Sequence, residues 1–335
     1  MQLCEKCLPS DWWGALEGDE SPTTSLPCLS HGEHPTVKSS SLASRLEELL
    51  SMYRATLEGD PVGDVLVRDW GFPDANIAST LVADCFPDRR IEPSTKVDLL
   101  TSNEALDMWQ TLKDELRTRN RFFATRVLDL ELIRDAIENQ ENVIKSGQKL
   151  YRGRLALPGV RRRAKEMAAP PAGKAAAGRA NPDGISYLYL GDSKDTCIGE
   201  VRASIADEVA IAEFKTIADL HIVDLSFVDG VQFCTADSPS RSILAVHLLR
   251  KLSYELSLPV RRSSGYVDQQ YSYLPTQFLC EYIKSLGYHG VRYPSALNPG
   301  GTNLVLFEHD LTRINNRTMR HYRVSALSPK TELVP

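Results

Sequence analysis

Near residue 149 the chain changes its hydrophobic period, and that change constrains the fold more than any other feature of the sequence. Upstream, apolar residues recur at helical spacing. Leu42, Leu46, Leu49, Leu50 and Tyr53 line up in "SLASRLEELLSMYRATL", and Leu106, Trp109, Leu112 and Leu116 in "NEALDMWQTLKDELRTRNRFF". Each set is the apolar stripe of an amphipathic helix. A third stretch, "DLELIRDAIENQENVIKSG", reads as a helix stopped by Gly147. Downstream come short runs rich in β-branched and aromatic residues: "ISYLYL", "VAIAEFKTI", "LHIVDLS", "HGVRYPS" and "NLVLFEHD". Two helical runs interrupt them, "SRSILAVHLLRKLSYEL" and "LPTQFLCEYIKSLG". This mixture predicts an α+β domain over residues 149–335, preceded by a helical domain over residues 39–148.

Bulk properties narrow the function. A chain of 335 residues is expected to hold about two domains, and 42% hydrophobic residues suffice for a real core. The formal net charge of −5 argues against binding nucleic acid by bulk charge. No run of about 18 apolar residues occurs, so no membrane span is expected. The opening "MQLCEKCLPSDWW" lacks the basic and apolar stretches of a secretory signal. Seven cysteines, an odd number unevenly spread, read as reduced thiols of a cytoplasmic protein rather than as a disulfide framework.

Residues 1–38 form a segment of their own. "CEKC" sets Cys4 and Cys7 at the spacing that lets two thiolates of one tight turn reach one tetrahedral metal ion. In "CLSHGEH", Cys28 follows with His31 or, at a less suitable spacing, His34. The pattern suits a structural zinc knuckle with all four ligand positions filled by protein. Such a segment is too poor in apolar residues to fold well without a staple. A frayed terminus with free thiols is the plain alternative.

The helical part invites a nuclease reading, in which an Arg and a following His cut RNA. The best place for that motif is "RTRNRFFATR", which holds no His, and none occurs between His34 and His221. A solvated helix end or an interdomain contact accounts for the arginines. In the second half, "RRRAKEMAAPPAGKAAAGRANPDG" reads as a long loop, and a loop of that length inside a compact domain is more often functional than idle. It ends in an Asn181-Pro182-Asp183-Gly184 turn. The next strand, 185–190, sends Tyr187 and Tyr189 to one face and Leu188 and Leu190 to the other. Asp192-Ser193 signals an N-cap for a short helix over "KDTCIGEVRAS", which carries Glu200 to the junction of strand, turn and helix. Taken singly, Arg179 reads as a loop salt bridge, Tyr189 as core and Glu200 as a solvated helix residue.

Taken together, these stretches resemble a known pattern. From Tyr151 to about Glu308 the chain is similar to the RES domain family. The matching stretches are "LYRGR", "AAPPAGKAAAGRANPDGISYLYLGDSKDTCIGEV" and "YLPTQFLCEYIKSLGYHGVRYPSALNPGGTNLVLF", in that order. The family's turn Arg falls on Arg179, its strand Tyr on Tyr189, and its Glu, eleven residues later, on Glu200. The Ser of its Pro-Ser turn falls on Ser295, and an earlier Arg on Arg152. Short members carry Trp where this chain has Ala180. "TQFLCEYIK" is typical of longer members and sets Gln277 and Glu281 one helical turn apart. The Cys-containing helical region ahead of it resembles the HEPN-like extension of those longer members.

The resemblance implies a mixed sheet like that of ADP-ribosyltransferases, and an enzyme that degrades NAD+. Many members are the toxin of a toxin–antitoxin pair, which implies a cognate antitoxin protein as partner. The implied reaction breaks the nicotinamide–ribose bond, with water or phosphate as acceptor. Arg152 and Arg179 would hold the diphosphate. Glu200 would offset the positive charge that develops on the ribose. Tyr189 would pack on the nicotinamide or the ribose. Ser295 would donate to a phosphate or a hydroxyl, and it is a poor nucleophile candidate because no His–acid partner stands in its motif. Glu200, Tyr189 and Ser295 form the expected catalytic set, and Arg152, Arg179, Asn181, Gln277 and Asn303 the substrate-binding set. No G-x-G-x-x-G fingerprint is present, so NAD+ is expected as a consumed substrate rather than a redox cofactor. Transfer of ADP-ribose to a macromolecule and a non-catalytic binding module are the alternatives.

Overall fold

A computed structural model of the protein describes residues 1–16, 21–24, 26–33, 35–89, 94–100, 102–124, 128–157, 159–258 and 271–325, without the side chains of 102–106. The chain divides into two compact units. The first takes Met1–Gln110, Asp129–Ala136 and Asp229–Leu248, and the second Thr111–Leu128, Ile137–Val228 and Leu249–Pro335. The limits expected at 38/39 and 148/149 mark changes in sequence texture, and these units run across both.

In the first unit, β1 (Gln2–Leu3) pairs antiparallel with β2 (Val37–Lys38) and ties off the segment between them. Within it, α1 (Ser10–Gly14) buries Trp12 completely, edge-on to Phe72 at 5.2 Å and tilted against Phe233 at 5.8 Å. Phe233 also meets Trp70 at 5.5 Å. The segment is thus anchored by one large aromatic. Next, α2 (Ala43–Leu50) buries Leu46 and Leu49, with Leu42 buried just ahead of it. Tyr53 is not on that helix. It opens β3 (Tyr53–Pro61), which pairs with β4 (Lys96–Leu99). Its hydroxyl donates to the buried carboxylate of Asp69 at 2.8 Å and accepts the Trp70 indole N–H at 2.7 Å. Between those strands run α3 (Val62–Trp70) and α4 (Ala75–Cys85), the second capped by Asp74 accepting the Ile77 N–H.

The expected stripe of α5 (Ser102–Thr118) is buried at Trp109, Leu112 and Leu116. The third expected helix is shorter than its pattern suggests. α6 (Leu130–Glu138) ends early, and Glu141–Ile144 forms β5. Val143 and Ile144 are β-branched, and strand pairing satisfies this backbone where a helix would otherwise do so. Gly147 lies in the following turn with φ +85° and stops no helix. The stretch 39–148 is therefore helical only in part.

The second unit is built on a mixed sheet of nine strands among the described residues. After β5 these are β6 (Lys149–Ala156), β7 (Leu188–Gly191), β8 (Glu208–Thr216), β9 (Leu220–Asp224), β10 (Gly290–Pro294), β11 (Thr302–Leu306), β12 (Thr312–Ile314) and β13 (Arg320–Arg323). The order across the sheet is β12-β8-β6-β7-β11-β10-β9-β5, with β13 also paired to β8. β9 and β10 run parallel; the other pairs are antiparallel. The helices α7 (Lys194–Glu200), α8 (Pro239–Ser257) and α9 (Leu274–Ser285) fall where the sequence places them.

Alternation along β8 shows how the core is shared. Ala210, Ala212 and Phe214 join Leu150, Leu188, Leu190 and Leu304 in one buried cluster, while Val209 and Ile211 join Cys197 and Ala203 in another. Burial on both faces is why "VAIAEFKTI" reads as a nearly continuous apolar run. The loop before β7 holds one 3-10 turn, Ala164–Met167, and buries Met167, Ala175 and Ala180. β7 begins at Leu188, later than the expected residue 185. Ser186 donates to the Pro170 carbonyl and Asn181 to that of Ile185, so side chains rather than a neighbouring strand hold the backbone there. Among the described residues, no helix is long and apolar enough to cross a membrane.

Candidate functional site

Strands β6 and β7 pair at a single position, Tyr151 with Gly191. Residues 152–154 and 189–191 then line a cavity of about 260 Å³, with α7 along its side. The helix comes this close because two glycines face it. A Cβ on Gly153 would lie 2.9 Å from the Cys197 carbonyl oxygen, and one on Gly191 3.0 Å from the Cys197 Sγ. Ser193 caps the helix by accepting the Thr196 N–H at 3.1 Å. The last residue of α7 is Glu200, and its carboxylate reaches the cavity rim. A second cavity of about 360 Å³ shares Tyr189, Glu200 and Tyr293 with the first and adds Arg179, Arg202 and Tyr273. Glu200 thus stands between two chambers, one carrying Arg152 and Arg154, the other Arg179 and Arg202.

The carboxylate is held from one side only. Its Oε1 accepts the Ser295 hydroxyl at 2.7 Å and the Asn303 side-chain amide at 2.7 Å. Among the described residues, Oε2 has no hydrogen-bond partner. Arg152 is the complementary feature. Its Nη1 is buried with no hydrogen-bond partner among the described residues. Burial, and then repulsion from Arg154, lowers its pKa from 12.5 to about 10, so it remains a cation at neutral pH. A buried cationic donor left open inside a cavity can hold an anion.

Among the described residues, Arg179 makes no salt bridge. Its Nη1 donates to the Glu255 carbonyl at 2.5 Å, and its guanidinium lies 5.3 Å from the Tyr273 ring centre. Helix α9 fixes its loop. The Gln277 amide donates to the carbonyls of Gly178 at 2.8 Å and Asn181 at 3.0 Å, and the Thr276 hydroxyl to that of Arg179. From within the loop, the Asn181 amide donates to the carbonyls of Ala176, Pro182 and Ile185. Its Oδ1 accepts the Tyr189 hydroxyl at 2.6 Å. That hydroxyl also accepts the Ala180 N–H at 3.3 Å, and burial raises its pKa, so it stays a phenol. Arg152, Arg179, Tyr189, Glu200 and Asn303 line the chambers. Ser295 stands behind Glu200, while Asn181 and Gln277 stand behind the Arg179 loop and line neither chamber.

Four of the charged and aromatic lining residues are absent from the expected set: Arg154, Arg202, Tyr273 and Tyr293. Strand alternation could have found two of them. Arg154 is two residues past Arg152 in "LYRGR". Tyr293 is two before Ser295 and pairs across the sheet with Asn303. Nothing in the sequence points to Arg202 or Tyr273, which reach the site through loop and helix-end placement.

In the first unit, Cys4, Cys7, Cys28 and His31 converge into a group able to hold a metal ion, with all four donor atoms within 4.8 Å of one another. Cys4 and Cys7 Sγ are 3.9 Å apart, and Cys7 and Cys28 Sγ 3.5 Å apart. His31 Nδ1 lies 3.4, 3.3 and 3.7 Å from the sulfurs of Cys4, Cys7 and Cys28. The three thiols are buried and the imidazole is exposed. The alternative ligand His34 lies outside the described residues.

Comparison with known proteins bears on the second unit. The sequence profile of the RES domain matches residues 155–325, just over half of the chain. The match begins at Leu155, so Arg152 and Arg154 lie just ahead of it. No curated protein matches. The solved M. tuberculosis MbcT–MbcA toxin–antitoxin complex contains a similar chain, 18% identical, covering 58% of this chain and 93% of that one with a TM-score of 0.32. A score that low carries no weight for function.

Proposed function

The chain belongs to the RES domain family, and from that premise we propose that it cleaves NAD+ at the nicotinamide–ribose bond, with water or phosphate as acceptor. The observation that carries the reading is the open oxygen of Glu200 at the junction of two arginine-bearing chambers. When the N-glycosidic bond breaks, nicotinamide leaves neutral with the bonding pair and positive charge builds on the ribose. A fixed carboxylate beside that carbon offsets the charge. The acceptor oxygen then bonds to the same carbon, and water, if it is the acceptor, gives up a proton. Arg152 and Arg179 supply the cations that a diphosphate requires. Tyr189 and Tyr293 supply flat apolar walls for a ring. In the cell this activity would be that of a toxin held in check by a partner protein.

The test is purified protein with NAD+, with and without inorganic phosphate, read by product mass. Free nicotinamide with ADP-ribose or its phosphate ester supports the reading. ADP-ribose found on a macromolecule replaces it with a transferase, and no nicotinamide release overturns it. The arginines add a second check. Losing a hydrogen bond to a charged group costs about 1.5–3 kcal/mol, roughly a ten- to hundredfold effect. Arg152→Ala is expected to weaken kcat/KM for NAD+ by that much. Nicotinamide riboside, which lacks the diphosphate, should be a poor substrate and nearly indifferent to the change. Equal sensitivity of both substrates would assign Arg152 to the fold.

The Cys4, Cys7, Cys28 and His31 group is read as a structural zinc site. Zn–S bonds of about 2.3 Å and Zn–N bonds of about 2.0 Å in a tetrahedron require S···S edges of about 3.8 Å and S···N edges of about 3.5 Å. The S···S edges of 3.9 and 3.5 Å and the S···N edges of 3.3 to 3.7 Å fit. Three thiolates and an imidazole fill four positions, so no coordination site is left for catalysis.

A further inference from the structure

We propose that Ser295 acts through Glu200 and not on the substrate: together with Asn303 it fixes the carboxylate so that Oε1 is occupied and Oε2 is left for the ligand. This deepens the reading of Glu200 given above and rests on it.

A serine hydroxyl has one proton to donate and two lone pairs. In Ser295 all three are engaged. The proton goes to Glu200 Oε1 at 2.7 Å, and the oxygen accepts the backbone N–H of Leu297 at 3.3 Å and of Asn298 at 3.2 Å. Nothing remains with which to bind a phosphate or attack a ribose carbon, and Ser295 lines neither chamber. Asn303 donates to the same Oε1 at 2.7 Å. Both side chains are more than nine-tenths buried, Ser295 at 6% and Asn303 at 7% exposure, while Glu200 itself is open to solvent.

The two donors come from separate supports. Asn303 sits on β11, in the middle of the sheet. Ser295 begins a turn that is closed by its own N–H donating to the Gly301 carbonyl. That turn is pinned to the start of α7 by Asn298 donating to the Thr196 hydroxyl at 2.9 Å, and by the Thr302 N–H donating to Asp192 at 2.7 Å. The helix that carries Glu200 and the turn that orients it are therefore braced against each other. Two charge-assisted hydrogen bonds on one oxygen restrict the carboxylate to one orientation before any ligand arrives, and they leave the other oxygen open on a residue that lines both chambers.

A double-mutant cycle tests this, with turnover of NAD+ as readout. Ser295→Ala should lower kcat about tenfold with KM little changed, and Ser295→Thr, which keeps the hydroxyl, should recover most of it. Placed on Glu200→Gln, Ser295→Ala should add less than a roughly twofold loss, because the group it serves is gone. Losses that multiply, or a ribosyl adduct on Ser295 found by mass, would overturn the proposal and give Ser295 a direct role. If Ser295→Ala does not fold, Asn303→Ala supplies the same cycle from the other support. Failure of the parent reading looks different: a folded Glu200→Gln enzyme would then turn over like wild type.

Discussion

Glu200→Gln is expected to keep its fold and lose most NAD+ cleavage, on the order of 10²–10³-fold in kcat. The substitution isolates charge from shape. A glutamine can turn its amide oxygen toward Ser295 and Asn303 and keep both hydrogen bonds that Oε1 accepts. What then faces the chambers is an –NH2 group, neutral overall and positive at its hydrogens. It stands where developing positive charge needs an anion, so the loss should fall on kcat more than on KM. Nicotinamide release measures the rate, and an unchanged melting temperature checks the fold. Wild-type turnover in a folded variant would remove Glu200 from the reaction.

The second large effect concerns the metal. Protein purified without a His-tag should carry close to one zinc per chain, and Cys4→Ser combined with Cys7→Ser should carry none. Structural zinc in small peptides binds with about 10–16 kcal/mol, as much as the whole stability of an ordinary domain at about 5–15 kcal/mol. Losing it should open residues 1–38 to protease. The pairing of β1 with β2 and the burial of Trp12 would resist, so the damage is expected to centre on the stretches around Cys4–Cys7 and Cys28–His31. NAD+ turnover should largely survive, because every chamber-lining residue belongs to the second unit and all four ligands to the first. A metal-free chain with an ordered N-terminus would rule out the site. Loss of catalysis along with the metal would reveal a coupling between the units.

The sequence is most legible where one residue pattern has one structural meaning. The β-branched runs become β8, β9, β10 and β11 because both faces of the sheet are covered and period and propensity agree. β5 was illegible for the opposite reason. Ile133, Ile137 and Ile144 keep a helical spacing, and only pairing with β9, about eighty residues away in sequence, breaks it. β3 gave no alternation to read, since only Tyr53 at its start is buried. At the site, Arg179, Tyr189 and Glu200 are close in sequence and could be read as a set. The two donors on Glu200 lie 95 and 103 residues from it, and no local spacing announces such a meeting. Gln277 and Asn181 show a further limit. A polar residue in a motif can serve the loop that carries the functional group, and only the direction of its hydrogen bonds tells the two apart.

Phe233, set between Trp12 and Trp70, has a consequence for how the molecule is made. It reaches the first unit with Asp229–Leu248, a segment that follows five of the nine described strands of the second unit: β5 to β9 precede it and β10 to β13 come after. A ribosome adds about 5–20 residues per second. Between the emergence of Gln110 and that of Leu248 there is thus a delay on the order of ten seconds, during which the two tryptophans lack their shared aromatic neighbour. The amino-terminal unit begins first but cannot be completed until residues 229–248 have been made. A nascent chain stalled before residue 229 should expose Trp12 and Trp70 to chaperones, and no contiguous fragment ending there can stand in for the first unit.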